Sequence, residues 1–127
     1  MGTRTLSRQN FKHAQVAPNV GLEQPVFDRD RFVMSTMDDA DLQREVVGLF
    51  VDQVDETCAR LREGSISAED RKFLGHNLRG AAAAVGALHI EELAKSWESV
   101  SYDLAVLGKL LQQAKTAFLA KARPFIS

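Results

Sequence analysis

The chain has little with which to cross-link, insert itself or grip a nucleotide. Its single cysteine, Cys58, cannot form an internal disulfide, so the fold must rest on its hydrophobic core, and a reducing compartment is expected. The longest apolar run, Ala81 to Leu88, is eight residues. Crossing a bilayer takes about 20, so no transmembrane helix and no membrane partner are expected. Basic residues near the N-terminus are not followed by the apolar stretch of a secretion signal, which leaves the cytoplasm as the expected location. Neither GxxxxGK[ST] nor GxGxxG occurs, which argues against a nucleotide- or dinucleotide-binding enzyme. Nor is there an excess of positive charge. Sixteen Lys and Arg against seventeen Asp and Glu give a net charge of −1, which argues against nonspecific nucleic-acid binding.

What is present is enough for one domain with a tail: 127 residues, 45% of them hydrophobic. Residues 1–25 hold two of the three prolines and few apolar side chains. Arg4, Arg8 and Lys12 against Glu23 give this segment a net +2, leaving −3 for the rest. It reads as an N-terminal tail or linker, with a short helix about Leu6 to Ala14, and residues 26–127 read as the folded domain.

From Phe27 onward the apolar spacing is helical. A short helix is expected over Asp28 to Met37, with Phe32 and Val33 inward. The acidic cluster Asp38, Asp39 and Asp41 marks the start of a longer one over about 40–62, because carboxylates favour the positive end of the helix dipole. Its predicted stripe is Leu42, Val46, Leu49, Phe50, Val54, Cys58 and Leu61, and Gly64 stops it. Ser67, with Asp70 three residues on, caps the next helix, which carries Leu74, Leu78, Ala82 and Val85 inward and ends at Gly86. A fourth helix is expected over about 88–101 with Trp97 in the core. A fifth is expected over about 103–122, capped by Asp103 and closed by Pro124. No segment alternates like a strand. The expectation is an all-α fold: an up-down antiparallel four-helix bundle with a short additional N-terminal helix.

The chemistry is concentrated in Gly75-His76-Asn77-Leu78-Arg79-Gly80. His76 lies two residues from both Leu74 and Leu78, so it faces away from the core. Arg79 and Gly80 share its face one turn along, and Lys72 shares it one turn earlier. A neutral imidazole is a good nucleophile near pH 7, and a guanidinium one turn away can pair phosphoryl oxygens. Gly80 removes a Cβ where a phosphoryl group and an approaching partner need room, despite a helix penalty of about 1 kcal/mol. Phe73, one turn before His76, suits either partner docking or the core. His89 has no metal-ligand spacing to His76, and Cys58 falls on an apolar stripe, so no metal is expected.

The run H-N-L-R-G-A-A-A-A-V-G-A resembles the signature of histidine-containing phosphotransfer (HPt) domains, commonly H-x-L-K-G-S-x-x-x-x-G-A. D-D-A-D-L-Q-R-E-V-V-G-L-F and I-E-E-L-A-K-S-W-E are similar to flanking helices of that family, so the likeness covers about residues 26–122. At this chain's own frequencies, a basic residue at +3 with Gly at +4 and +10 follows a given His with odds of roughly 1 in 2,000, so the match is not a composition effect. The resemblance implies His76 as phosphoacceptor, Arg79 in place of the usual Lys for phosphate pairing, and Gly80 as clearance. It implies Glu98, on the adjacent helix, accepting the imidazole Nδ1–H and leaving Nε2 free to attack. Ala81 stands where the family commonly has Ser, which removes a possible hydroxyl contact.

The function so implied is a phosphorelay carrier, not an enzyme: a monomer without ATP-binding or autokinase domain. It would take a phosphoryl group from one aspartate and pass it to another. Its partners would be response-regulator receiver domains and a hybrid sensor kinase, docking over Lys72, Phe73, Arg79, Gly80 and Ala83. It would need no cofactor of its own, since any Mg²⁺ would sit in the receiver. The alternative is a non-catalytic helical adaptor. A sensor-kinase dimerisation segment also carries H-x-L-R, but Thr-Pro usually follows where Gly-Ala follows here.

Overall fold

The structure is a computed structural model that describes residues 25–64, 66–97 and 103–126. The tail expected over 1–25 therefore lies outside the described residues except for Pro25, and so does Glu98. Five helices follow in order: α1 Arg29–Ser35, α2 Ala40–Glu63, α3 Ala68–Val85, α4 Leu88–Ser96 and α5 Leu104–Ile126. Among the described residues there is no strand, and the one extended pairing is an isolated bridge between Phe27 and Ala87. The protein is all-α over these residues.

The helix starts follow from their caps. Asp28, Asp39 and Ser67 each accept a hydrogen bond from a backbone N–H three residues on, at 3.0, 2.9 and 3.0 Å. These satisfy donors that no helical carbonyl reaches. Asp103 accepts from Ala105 N, two residues on, at 2.8 Å. Gly64 and Gly86 end α2 and α3 in the left-handed conformation, with φ of 75° and 72°. Between α1 and α2 the chain turns through two left-handed non-glycine residues, Met37 and Asp38, which the sequence reading did not foresee.

The main packing partners are α2 with α5 and α3 with α4, with α3 also touching α1 and α2. Five phenylalanines, Phe27, Phe32, Phe50, Phe118 and Phe125, form a tilted and edge-to-face cluster with centroids 5.4–5.9 Å apart. This cluster explains why Pro124 does not close α5 as predicted. The helix runs on to Ile126 because Phe125 and Ile126 pack against the core, offsetting the donor that proline lacks. Of the predicted α2 stripe, Phe50, Val54, Cys58 and Leu61 are buried and Val46 packs against the core, but Leu42 is only half-buried and Leu49 is 61% exposed, with Gln43, Val47 and Thr57 buried besides.

Lys115 Nζ lies 2.7 Å from Asp55 Oδ1, tying α5 to α2. The ammonium and the Gln112 amide hold the Asp55 carboxyl below its ordinary value. A depressed carboxylate pKa stabilises the fold above the unfolded value, and that contribution is lost as pH falls through the folded one. Asp55→Asn should therefore be less stable than the parent at pH 7, with the gap closing as pH drops below 3.8, read by urea melts across pH.

Gly86 is constrained twice. Its φ is positive, and a Cβ there would lie 2.5 Å from the Asp28 carbonyl oxygen. The close approach is what lets Asp28 N donate to Gly86 O at 2.8 Å, pinning the chain before α1 to the α3–α4 junction. Gly86→Ala should lower unfolding free energy by about 2 kcal/mol or more, measured by denaturant midpoint.

Candidate functional site

Helix α3 presents two unlike faces. Leu78, Ala82 and Val85 are buried and Leu74 is half-buried, fixing the inward stripe. His76, two residues from both Leu74 and Leu78, is exposed, as its spacing predicted. Lys72, Arg79 and Gly80 are exposed with it, and Phe73 is 63% exposed, which decides its role against the core. Ala83 is half-buried at the edge of this face. There Arg31 Nη1 donates to the Ala83 carbonyl at 3.4 Å and to Glu91 Oε1 at 3.0 Å, so α1 borders the face at its far end. Lys72 and Arg79 have no ion-pair partner among the described residues. Thus five predicted positions, Lys72, Phe73, His76, Arg79 and Gly80, share one open surface. Glu98 falls outside the described residues, so its distance to the imidazole does not enter the geometry.

The glycines flanking His76 have different causes. Trp97, 3% exposed, lays its indole across Gly75 and donates from Nε1 to the Arg71 carbonyl at 3.2 Å. A Cβ on Gly75 would sit 1.9 Å from that nitrogen. Gly75 therefore serves close packing of α4 on α3, directly beneath the turn that carries His76. Gly80 does nothing of the kind. A Cβ there would meet no heavy atom within 4 Å. It sits in a helix interior at a cost in stability that no contact within the described chain accounts for.

The Trp97 clasp was missed in the sequence, where Trp97 read only as core. Its signal was a buried indole in need of an acceptor, together with a mid-helix glycine to receive it. The exposure of Leu49 was also missed. It lines a groove of about 790 Å³ with Asp52, Glu56 and Arg60 of α2 and Leu74 and Asn77 of α3. The single cysteine, Cys58, is 1% exposed with its Sγ 3.8 Å from the Gly108 carbonyl, and burial pushes its thiol pKa up, which disfavours the reactive thiolate. Among the described residues no group of three or more His, Cys, Asp or Glu is placed to hold a metal ion, and no helix is long and apolar enough to cross a membrane. The chain matches no protein-family model, no curated protein and no solved structure.

The two glycines should respond oppositely to the same change. Gly75→Ala should destabilise by about 3 kcal/mol, since overpacking against a buried ring cannot relax cheaply, and should redshift the emission of the single tryptophan. Gly80→Ala should leave emission unchanged and raise stability by about 0.5–1 kcal/mol. Parallel thermal melts and fluorescence spectra of the two variants make the comparison.

Proposed function

We propose that the protein is a phosphocarrier of the histidine phosphotransfer type, taking a phosphoryl group onto His76 from an aspartyl phosphate and passing it to a second aspartate. We read its packing as an up-down four-helix bundle whose α3 holds the acceptor. The observation that carries the reading is the open α3 face on which His76, Arg79 and Gly80 stand together. A glycine kept in an exposed helix interior with nothing above it fits a surface that a second molecule must approach closely. An imidazole and an unpaired guanidinium stand beside it.

In the transfer, the Nε2 lone pair of neutral His76 attacks phosphorus in line with the P–O bond to the donor carboxyl. The N–P bond forms as the P–O bond to the donor carboxyl breaks, and the donor leaves as a carboxylate. The proton on Nδ1 stays there, and Glu98 is the group proposed to accept its hydrogen bond. Arg79, on the same face, balances the phosphoryl oxygens as charge shifts between donor and acceptor. Transfer onward is the reverse step with a different carboxylate. The chain supplies the nucleophile, the fixed cation and the clearance. The donor and acceptor domains supply any metal the reaction needs, and the proposed location is the cytoplasm. Receiver domains of response regulators and of a hybrid kinase fit as partners, because an acidic phosphoacceptor pocket complements Lys72 and Arg79. A monomer suffices for this role.

Incubation with a phosphorylated receiver domain tests the reading. Acid-labile, base-stable label should appear on the parent and be absent from His76→Gln, whose melting should stay within about 0.5 kcal/mol of the parent because the site is exposed. Undiminished labelling of that variant removes His76 from the assignment. Arg79→Ala should slow single-turnover transfer by about 10- to 100-fold, the worth of one charge-assisted contact, while Arg79→Lys keeps most of the rate.

A further inference from the structure

The α2–α3 groove is lined by two leucines, Leu49 and Leu74, and along α2 by two acids. Asp52 and Glu56 stand along the α2 side, exposed, and no cation engages either among the described residues. Arg60, at the end of the groove, is already drawn to Glu63 at 3.9 Å and Asp70 at 3.8 Å. Asn77, next to His76, lines the other side. An exposed leucine over a groove with two free acids calls for a cationic segment that carries apolar side chains.

We propose that this occupant is the chain's own residues 1–24, docked in cis. They carry Arg4, Arg8 and Lys12 against a single acid, Glu23, with Leu6 and Phe11 between the cations. The segment joins the fold at Pro25, beside Val26, whose carbonyl accepts from Leu88 N at 3.1 Å, so it departs from the C-terminal end of α3. From Ala87 back to Asn77 is about 15 Å along the helix. Residues 13–24 extended reach about 40 Å, so Lys12 and the residues before it span the groove with slack. Tethering sets an effective concentration near the millimolar range, so a contact of only millimolar affinity in trans is substantially filled in cis. The docking stands on the groove and the charges alone.

The test uses the full chain with a nitroxide on Ser7→Cys and methyl-labelled leucine and valine, Cys58 being buried. Leu49 and Leu74 methyl signals should broaden at low salt while Val106 on α5 does not. The broadening should vanish in Asp52→Asn/Glu56→Gln or at about 0.5 M salt. Uniform or absent broadening overturns the docking. So does broadening that appears only between a spin-labelled molecule and a second, methyl-labelled one, which would make the groove a contact between copies.

Discussion

The contact between the Trp97 indole and Gly75 sets the terms for the rest of the molecule. It fixes where α4 lies on α3, because a ring can occupy that position only where a side chain is missing. It also ties the end of α4 to the backbone of α3 through the Arg71 carbonyl. On the far side of α3, the Asp28–Gly86 bond and the Arg31–Glu91 pair bring α1 and the start of α4 together. One helix is thereby held from below and at its end, while its outer face is left bare. A nucleophile on that face needs no loop to position it, since helix geometry and a packed underside do so.

The division of labour along α3 follows from residue size. Ala82, fully buried, and Ala81, packed against the core, allow neighbours close to the axis on the inner side. On the outer side, Lys72 and Arg79 form no ion pair among the described residues, and the tallest group, Phe73, stands one turn from the imidazole. Exposed ion pairs there would have added little stability.

Much of this was legible in the residues. Ser67, Asp39 and Asp103 announced helix starts because their side chains do what backbone acceptors cannot. His76 announced its exposure because it lies two positions from Leu74 and Leu78. The α2 face was legible only in part. Val46, Val47, Leu49 and Phe50 offer two apolar phases, and α5 favours one of them by setting Phe118 edge-on against Phe50, which leaves Leu49 outside. The end of α5 was misread for a similar reason. A proline rule speaks of local geometry, whereas Phe125 is held by rings from distant parts of the chain. The two glycines beside His76 look alike in one dimension. Only the third distinguishes the one filled by an indole from the one facing nothing.

The turn between α1 and α2 gives this contrast a further meaning. Met37 and Asp38 adopt φ of 53° and 54°, a region where methionine in particular is uncomfortable and glycine is at ease. Yet the chain places glycine at 48, 80 and 108, in regular helix with open surroundings, and leaves this turn without one. Glycine's backbone freedom is thus unused where the chain bends to positive φ, and the α1–α2 turn keeps its shape through hydrogen bonds such as Asp38 N to the Val33 carbonyl at 2.9 Å rather than through an easy backbone.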